Sequence, residues 1–107
     1  MSGRCDVWVT LVCPGGLSAG QGIAFSKSAA LHGKIHPKPP FIKWGPRSVS
    51  VHLVLEATDE YPDEEQALDA VCLIATASVK GWAQDAGFWV DAGDKACDVS
   101  CSAELQT

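Results

Sequence analysis

Apolar and polar residues alternate with a period of two in three stretches of the chain, which is typical of β-strands with one buried face. These stretches are residues 5–13, 48–57 and 97–105. Shorter strands are predicted at 41–44, after a proline-rich loop, and at 88–91, which would form a hairpin with the last strand.

A different spacing, with apolar residues every three or four positions, predicts two helices. The clearer one begins at Pro62, a residue suited to the first helical position, and continues as an apolar stripe over residues 68–82. The other helix lies within residues 17–35, where glycines weaken the helical propensity. Its apolar face would carry Ala24, Leu31 and Ile35.

The elements therefore follow in the order strand, helix, short strand, strand, helix and strand pair. Helices that cover one face of a mostly antiparallel sheet define the α+β class. We predict a single α+β domain spanning residues 1–107, with a small antiparallel sheet and one or two helices on one face. A ferredoxin-like arrangement is favoured, and 107 residues suffice for one modest core.

Charge is distributed unevenly along the chain. Residues 7–55 carry five basic and no acidic side chains, residues 56–107 carry twelve acidic and two basic ones, and the net charge is −5. Such asymmetry can mark a nucleic-acid or membrane surface, but it also arises when two halves interleave and pair with each other. We favour pairing between the halves.

Two features bear on location. No apolar run approaches the roughly 18 residues that a membrane span needs. Asp6 and Thr10 also interrupt any apolar segment of a signal peptide at the N-terminus. We therefore expect a cytoplasmic protein without membrane contact, in which the five cysteines are reduced.

The cysteines do not form a recognisable metal or redox motif. Along a strand at about 3.3 Å per residue, Cys5 and Cys13 are roughly 26 Å apart, too far to bond each other or one metal ion. Cys97 and Cys101 are roughly 13 Å apart, and Cys72 lies on the second helix. We expect five buried thiols that behave as small apolar residues. Pairing of Cys5 or Cys13 with Cys97 or Cys101 on a neighbouring strand is left open.

Three further motifs are incomplete. His32 and His36 have the spacing of two ligands on a helix, but a proline follows directly and no third ligand is evident. Ser18 lies in a Gly-x-Ser-x-Gly pattern, but the chain is too short for the parallel sheet of a nucleophile elbow. The glycines of residues 15–22 lack the lysine of a phosphate loop. We therefore predict no catalytic residue, no metal ligand and no cofactor.

The outer face of the predicted sheet is the most informative surface. Two tryptophans lie there among polar groups, and no predicted helix covers them, which is typical of an interface or ligand site. A histidine and an acidic residue lie four positions apart on the same face, and histidine can act as an acid or base near neutral pH. The predicted ligand or interface residues are Trp8, His52, Glu56, Trp89 and Asp98.

These features favour a small non-catalytic binding or interaction module that self-associates through the open face of its sheet, with a dimer as the simplest homo-oligomer. The sequence does not specify a small-molecule ligand or a protein partner. One alternative is a small enzyme or ligand-binding protein with a polar site around His52 and Glu56.

A second alternative is nucleic-acid binding by the basic loop of residues 27–47. The acidic composition argues against it, because carboxylates repel phosphate. The basic side chains that would contact phosphate are Lys34, Lys38, Lys43 and Arg47.

Overall fold

A computed structural model describes residues 3–32, 40–57 and 62–106. The order of elements in these residues is β-α-β-β-α-β. The elements are β1 (Gly3–Val12), α1 (Ala19–His32), β2 (Phe41–Trp44), β3 (Ser48–Ala57), α2 (Glu64–Asp85) and β4 (Asp98–Leu105).

The four strands form one sheet in the order β2-β3-β1-β4, and every neighbouring pair is antiparallel. The central strands β1 and β3 pair from Gly3 opposite Ala57 to Val12 opposite Ser48. The α+β class and the small antiparallel sheet are confirmed. Neither helix in the described part of the chain is long and apolar enough to cross a membrane.

One face of the sheet forms the core together with both helices. Alternate residues of β1 and β3 point to this face, because successive side chains of a strand lie on opposite sides. Burying this apolar surface is the main favourable contribution to folding. The largest fully buried side chains are Trp82, Phe25, Leu11, Leu53, Val7, Val9, Val49, Val51, Val79 and Cys5.

Helix α1 begins after Ser18, whose side chain and backbone both take part in the cap. The Ser18 hydroxyl accepts a hydrogen bond from the Gln21 backbone N–H (3.2 Å), and the Gln21 side-chain oxygen accepts one from the Ser18 N–H (3.0 Å). These reciprocal bonds satisfy amide groups that have no partner within the helix. The predicted helix within residues 17–35 is thus confirmed for Ala19–His32.

The predicted apolar face of α1 was wrong. Phe25 and Ala29 are fully buried, whereas Leu31 is 68% exposed, and Ile35 lies outside the described residues. The Phe25 ring packs edge-on against Trp82 and Trp44, with ring centroids 6.0 and 5.3 Å apart. The Phe25 ring buries more apolar area than the Leu31 side chain could. The packing of Phe25 therefore decides which face of α1 turns toward the core.

Helix α2 matches its predicted apolar stripe, but it begins at Glu64, two residues after Pro62, the predicted first helical residue. Asp63 is the N-cap, and its carboxylate accepts a hydrogen bond from the Gln66 N–H at 2.8 Å. The helix ends at Asp85, and Gly87 follows with a φ of 81°, which glycine adopts without steric cost.

No strand forms at residues 88–91, so the predicted hairpin before β4 was wrong. One backbone bond, from the Cys97 N–H to the Val90 carbonyl at 2.8 Å, replaces the expected ladder. Phe88 is buried in the core and Trp89 packs against it, so this segment follows the shape of the core rather than the edge of the sheet.

Candidate functional site

The face of the sheet opposite the helices carries the candidate site. We call it the open face. Most of its side chains are exposed or partly exposed, and Val54 is the exception at 3% exposed. By strand register, its other members are Phe41, Lys43, Ser48, Ser50, His52, Glu56, Arg4, Asp6, Trp8, Thr10, Val12, Asp98, Ser100, Ser102 and Glu104.

A row of three rings crosses the middle of the open face. Phe41 lies opposite His52, and His52 lies opposite Trp8 on the next strand. The rings of Trp8 and His52 stack, with centroids 5.2 Å apart and planes 27° apart. Trp8 is 41% exposed and Phe41 is 68% exposed, so the row presents apolar surface to its surroundings. Clusters of exposed aromatic side chains are typical of interaction surfaces.

A shallow cavity of about 290 Å³ opens between these rings. Its wall is mostly apolar, and Lys43, Ser50 and His52 are the polar residues that line it. The cavity is small compared with typical ligand sites, which range from about 300 to 1,000 Å³. It can hold the edge of a ring or a protruding side chain.

Asp6 fixes the orientation of His52. The Asp6 Oδ1 atom lies 2.9 Å from His52 Nε2, and it also accepts a hydrogen bond from Gln106 Nε2 at 3.1 Å. Both side chains are about one-third exposed or less, at 33% for His52 and 26% for Asp6. A carboxylate on one ring nitrogen selects the tautomer and holds the ring plane, which here lies against Trp8.

The carboxylate beside His52 is not the one that the sequence singled out. Glu56 lies on the same face, but its carboxylate faces Arg4, with 3.8 Å between Glu56 Oε1 and Arg4 Nε. Four residues along a strand correspond to roughly 13 Å, which keeps the backbones of Glu56 and His52 apart. Asp6 is a diagonal neighbour of His52, and only the strand register reveals that relation.

Trp89 is separated from the other predicted site residues. It lies on the helix side of the sheet, where it packs against the core. The Lys80 ammonium of α2 sits 5.1 Å from its ring centroid, and its indole N–H donates a hydrogen bond to Asp91. The prediction that Trp89 shares a face with Trp8 was wrong because residues 88–91 do not join the sheet.

Asp98 is on the open face, as predicted, but away from His52. It begins β4 opposite Val12, whereas the β4 residue in the His52 row is Ser102. Four residues along β4 correspond to roughly 13 Å. Asp98 therefore belongs to an acidic edge of the face and does not join a polar cluster with His52.

The basic side chains of residues 27–47 do not all lie within the described structure. Lys43 is on the open face at the β2 edge, and Arg47 is exposed in the turn between β2 and β3. Lys34 and Lys38 lie outside the described residues, so a basic surface formed by all four stays a prediction.

Ser18 caps a helix, and the cysteines lie on the core side of the sheet. The Ser18 hydroxyl is engaged in the α1 cap described above. All five cysteines are free thiols on the core side of the sheet. Cys5 and Cys13 are buried as predicted, whereas the prediction of burial was wrong for the other three, which are partly exposed: Cys72, Cys97 and Cys101. In residues 3–32, 40–57 and 62–106, no three histidine, cysteine or acidic side chains cluster as metal ligands would.

Comparison with known proteins gives no indication of function. No protein-family model matches the chain, and no curated protein or solved structure is significantly similar to it.

Proposed function

We propose that the protein is a small interaction module whose open face binds the open face of a second copy. The observation that carries this proposal is the row of rings, Phe41, His52 and Trp8, at the centre of a sheet face whose other side chains are mostly polar. A few residues, in which tryptophan and tyrosine are enriched, carry most of the binding free energy at protein interfaces, and a polar rim around them is the usual arrangement.

The charges on the face favour a second copy as the occupant. Lys43 lies on the β2 edge, while Asp98 and Glu104 lie on the β4 edge. A two-fold axis parallel to the strands places the β2 edge of one copy over the β4 edge of the other. Unlike charges then face each other at both edges, and an isologous dimer forms each contact twice.

The same two-fold axis brings the aromatic rows together. It places β1 of one copy over β3 of the other, so that Trp8 lies over the partner's His52 row. Lys43 then lies over Ser100 of the partner subunit, and Asp98 is two residues from Ser100 along the same strand. Two residues of a strand span about 6.6 Å, a distance that a lysine side chain can reach.

The dimensions of the sheet suggest a weak dimer. Four strands about 4.8 Å apart, with about eight residues of about 3.3 Å each, give a footprint of about 500 Å² per copy. Stable interfaces usually bury about 800 Å² per partner. We therefore propose an association that dissociates at micromolar concentration, and we place the module in the cytoplasm with reduced thiols.

A second candidate function is the binding of a small ligand in the cavity beside Trp8. The cavity walls and the Lys43 ammonium favour a planar anion, since aromatic rings stack and an ammonium pairs with a negative group. The oriented His52 would then contact the ligand. The same surface serves both functions, so a bound ligand would compete with the second copy.

The test compares two substitutions of exposed apolar residues on opposite sides of the protein. Trp8→Ser removes one ring of the aromatic row on the open face, and Leu73→Ser removes a side chain on α2 that is 73% exposed. Sedimentation velocity at about 100 μM should show a dimer for the wild type and for Leu73→Ser, and a monomer for Trp8→Ser. Equal dimer fractions in the two variants would exclude the open face as the interface.

A further inference from the structure

Two pairs of cysteine thiols meet on the core side of the sheet, each joining different elements. Cys101 of β4 donates a thiol hydrogen bond to Cys72 of α2, with 2.9 Å between the sulfur atoms. Cys97, just before β4, donates one to Cys13, just after β1, at 3.3 Å. The two partners are 29 and 84 residues apart in sequence, so neither pair results from local chain geometry.

The first pair is the more accessible. Cys72 and Cys101 line an open cavity of about 470 Å³, and both thiols are partly exposed. The cavity beside Cys13 and Cys97 measures only about 180 Å³, and Cys13 is 2% exposed. A reagent reaches Cys72 and Cys101 without opening the core, whereas Cys13 requires local opening.

The two cavities also differ in charge. Glu64, Glu65 and Asp69 line the cavity at Cys72, and they form an acidic rim on the first turns of α2. The cavity at Cys13 is lined by Lys95 instead. Opposite charges attract a reagent at short range and like charges repel it, and added salt screens both effects.

We propose that Cys72 and Cys101 form a thiol–disulfide exchange site that reacts selectively with small cationic disulfides and closes to an intramolecular disulfide. This modification tethers the edge strand β4 to α2. It involves the opposite side of the sheet from the open face and does not depend on self-association.

The exchange proceeds in two steps, with a small disulfide as the oxidant. A thiolate of the pair attacks one sulfur of the reagent, its S–S bond breaks, and a mixed disulfide forms while one small thiolate leaves and takes up a proton. The second cysteine then loses its proton and attacks the protein sulfur of the mixed disulfide. The Cys72–Cys101 bond forms, and the second small thiol leaves. Two protein thiols are oxidised and one small disulfide is reduced to two thiols.

Burial of the Cys72 thiol slows this reaction. It raises the pKa of the Cys72 thiol well above its ordinary value, and the hydrogen bond with Cys101 and the negative charge of Asp69 add to the effect. Only the thiolate is nucleophilic, so the pair reacts slowly at neutral pH and faster as the pH rises.

The experiment treats the reduced protein with cystamine or with dithiodipropionate, which are small disulfides of opposite charge. Alkylation stops the reaction, and peptide mapping locates the linkages. The rate at which each disulfide reacts with the protein is divided by the rate at which the same disulfide reacts with dithiothreitol, a neutral dithiol. This normalised rate no longer depends on the intrinsic reactivity of the disulfide. We expect the Cys72–Cys101 linkage first, and a normalised rate about tenfold higher for cystamine at low salt.

Matched variants make the result specific. Asp69→Asn should lower the normalised cystamine preference, whereas Glu104→Gln, on the open face, should leave it unchanged. Cys5→Ala should retain the linkage, and Cys72→Ala should accumulate the mixed disulfide at Cys101. A normalised ratio near one, an unchanged ratio in Asp69→Asn, or formation of a Cys13–Cys97 linkage before the Cys72–Cys101 linkage in the folded wild type would each overturn the proposal.

Discussion

A 2.9 Å hydrogen bond joins Asp6 on one central strand to His52 on the other, although the two residues are not paired directly opposite each other in the sheet. Asp6 faces Val54 and His52 faces Trp8, so the bond runs along a diagonal of the sheet. Diagonal neighbours are within reach of long side chains. The bond holds the imidazole against the Trp8 ring and links three side chains, Asp6, His52 and Trp8, at the centre of the open face.

Exchanging charges between the edges of the open face tests the geometry of the proposed dimer. Lys43→Glu alone should abolish the dimer, because two acidic groups then meet at both edges, and Asp98→Lys alone should do the same with basic groups. A mixture of the two variants should form a heterodimer. At one edge the Lys43→Glu substitution of one copy faces the Asp98→Lys substitution of the other, and at the other edge native Asp98 of the first copy faces native Lys43 of the second. Analytical ultracentrifugation of each variant and of the mixture measures this. Failure of the mixture to associate would exclude this two-fold axis.

The rotation of α1 can be tested by paired truncations. Phe25→Ala removes a fully buried ring and should lower the free energy of unfolding by about 3–5 kcal/mol. Leu31→Ala removes a side chain that is 68% exposed and should change it by about 0.5 kcal/mol or less. Urea unfolding measures both values. If Leu31→Ala proves the more destabilising of the two, the helix is rotated differently from the structure.

The cap of α2 should contribute measurably to stability. Asp63→Ala removes the acceptor for the Gln66 N–H and should cost about 1 kcal/mol. Asp94→Ala, a substitution of an exposed acid outside any helix, is the control for loss of negative charge. A decrease in Asp63→Ala no larger than in the control would show that the bond does not form in solution.

Alkaline pH should destabilise the reduced protein. Burial raises the pKa values of the Cys5 and Cys13 thiols, and the hydrogen bond with Cys97 raises that of Cys13 further. In the unfolded chain a thiol titrates near pH 8.5. Above that pH the unfolded state loses protons that the folded state keeps, so stability falls by up to about 1.4 kcal/mol per pH unit for each thiol.

Urea unfolding between pH 8 and 9.5 in a phosphine reductant measures this slope. Cys13→Ala should reduce the slope, because one of the titrating thiols is absent. The same slope in the variant and the wild type would mean that the Cys13 thiol titrates normally in the folded protein.

Much of the fold could be predicted from local patterns. Alternation over residues 5–13 and 48–57 located the two central strands, and the stripe over residues 68–82 located α2. These patterns are reliable because a buried face requires apolar residues at every second position of a strand, or at every third or fourth position of a helix. Local spacing did not predict the rotation of α1, which is decided by packing between Phe25, Trp44 and Trp82.

The candidate site was predictable only in part. Trp8 and His52 followed from alternation alone, because each lies on the polar side of its strand. The contact of His52 with Asp6 and the meeting of Cys72 with Cys101 depend on strand register and on helix position, which one-dimensional spacing does not contain. Trp89 was misplaced because a strand was predicted where the chain packs its aromatic residues into the core.

The most direct test of self-association is sedimentation equilibrium of the wild-type protein under reducing conditions, from about 1 to about 100 μM. The chain has a mass of 11.3 kDa. We predict that the average mass rises with concentration towards twice this value, with a midpoint in the micromolar range. A mass of 11.3 kDa at every concentration would contradict the proposed dimer.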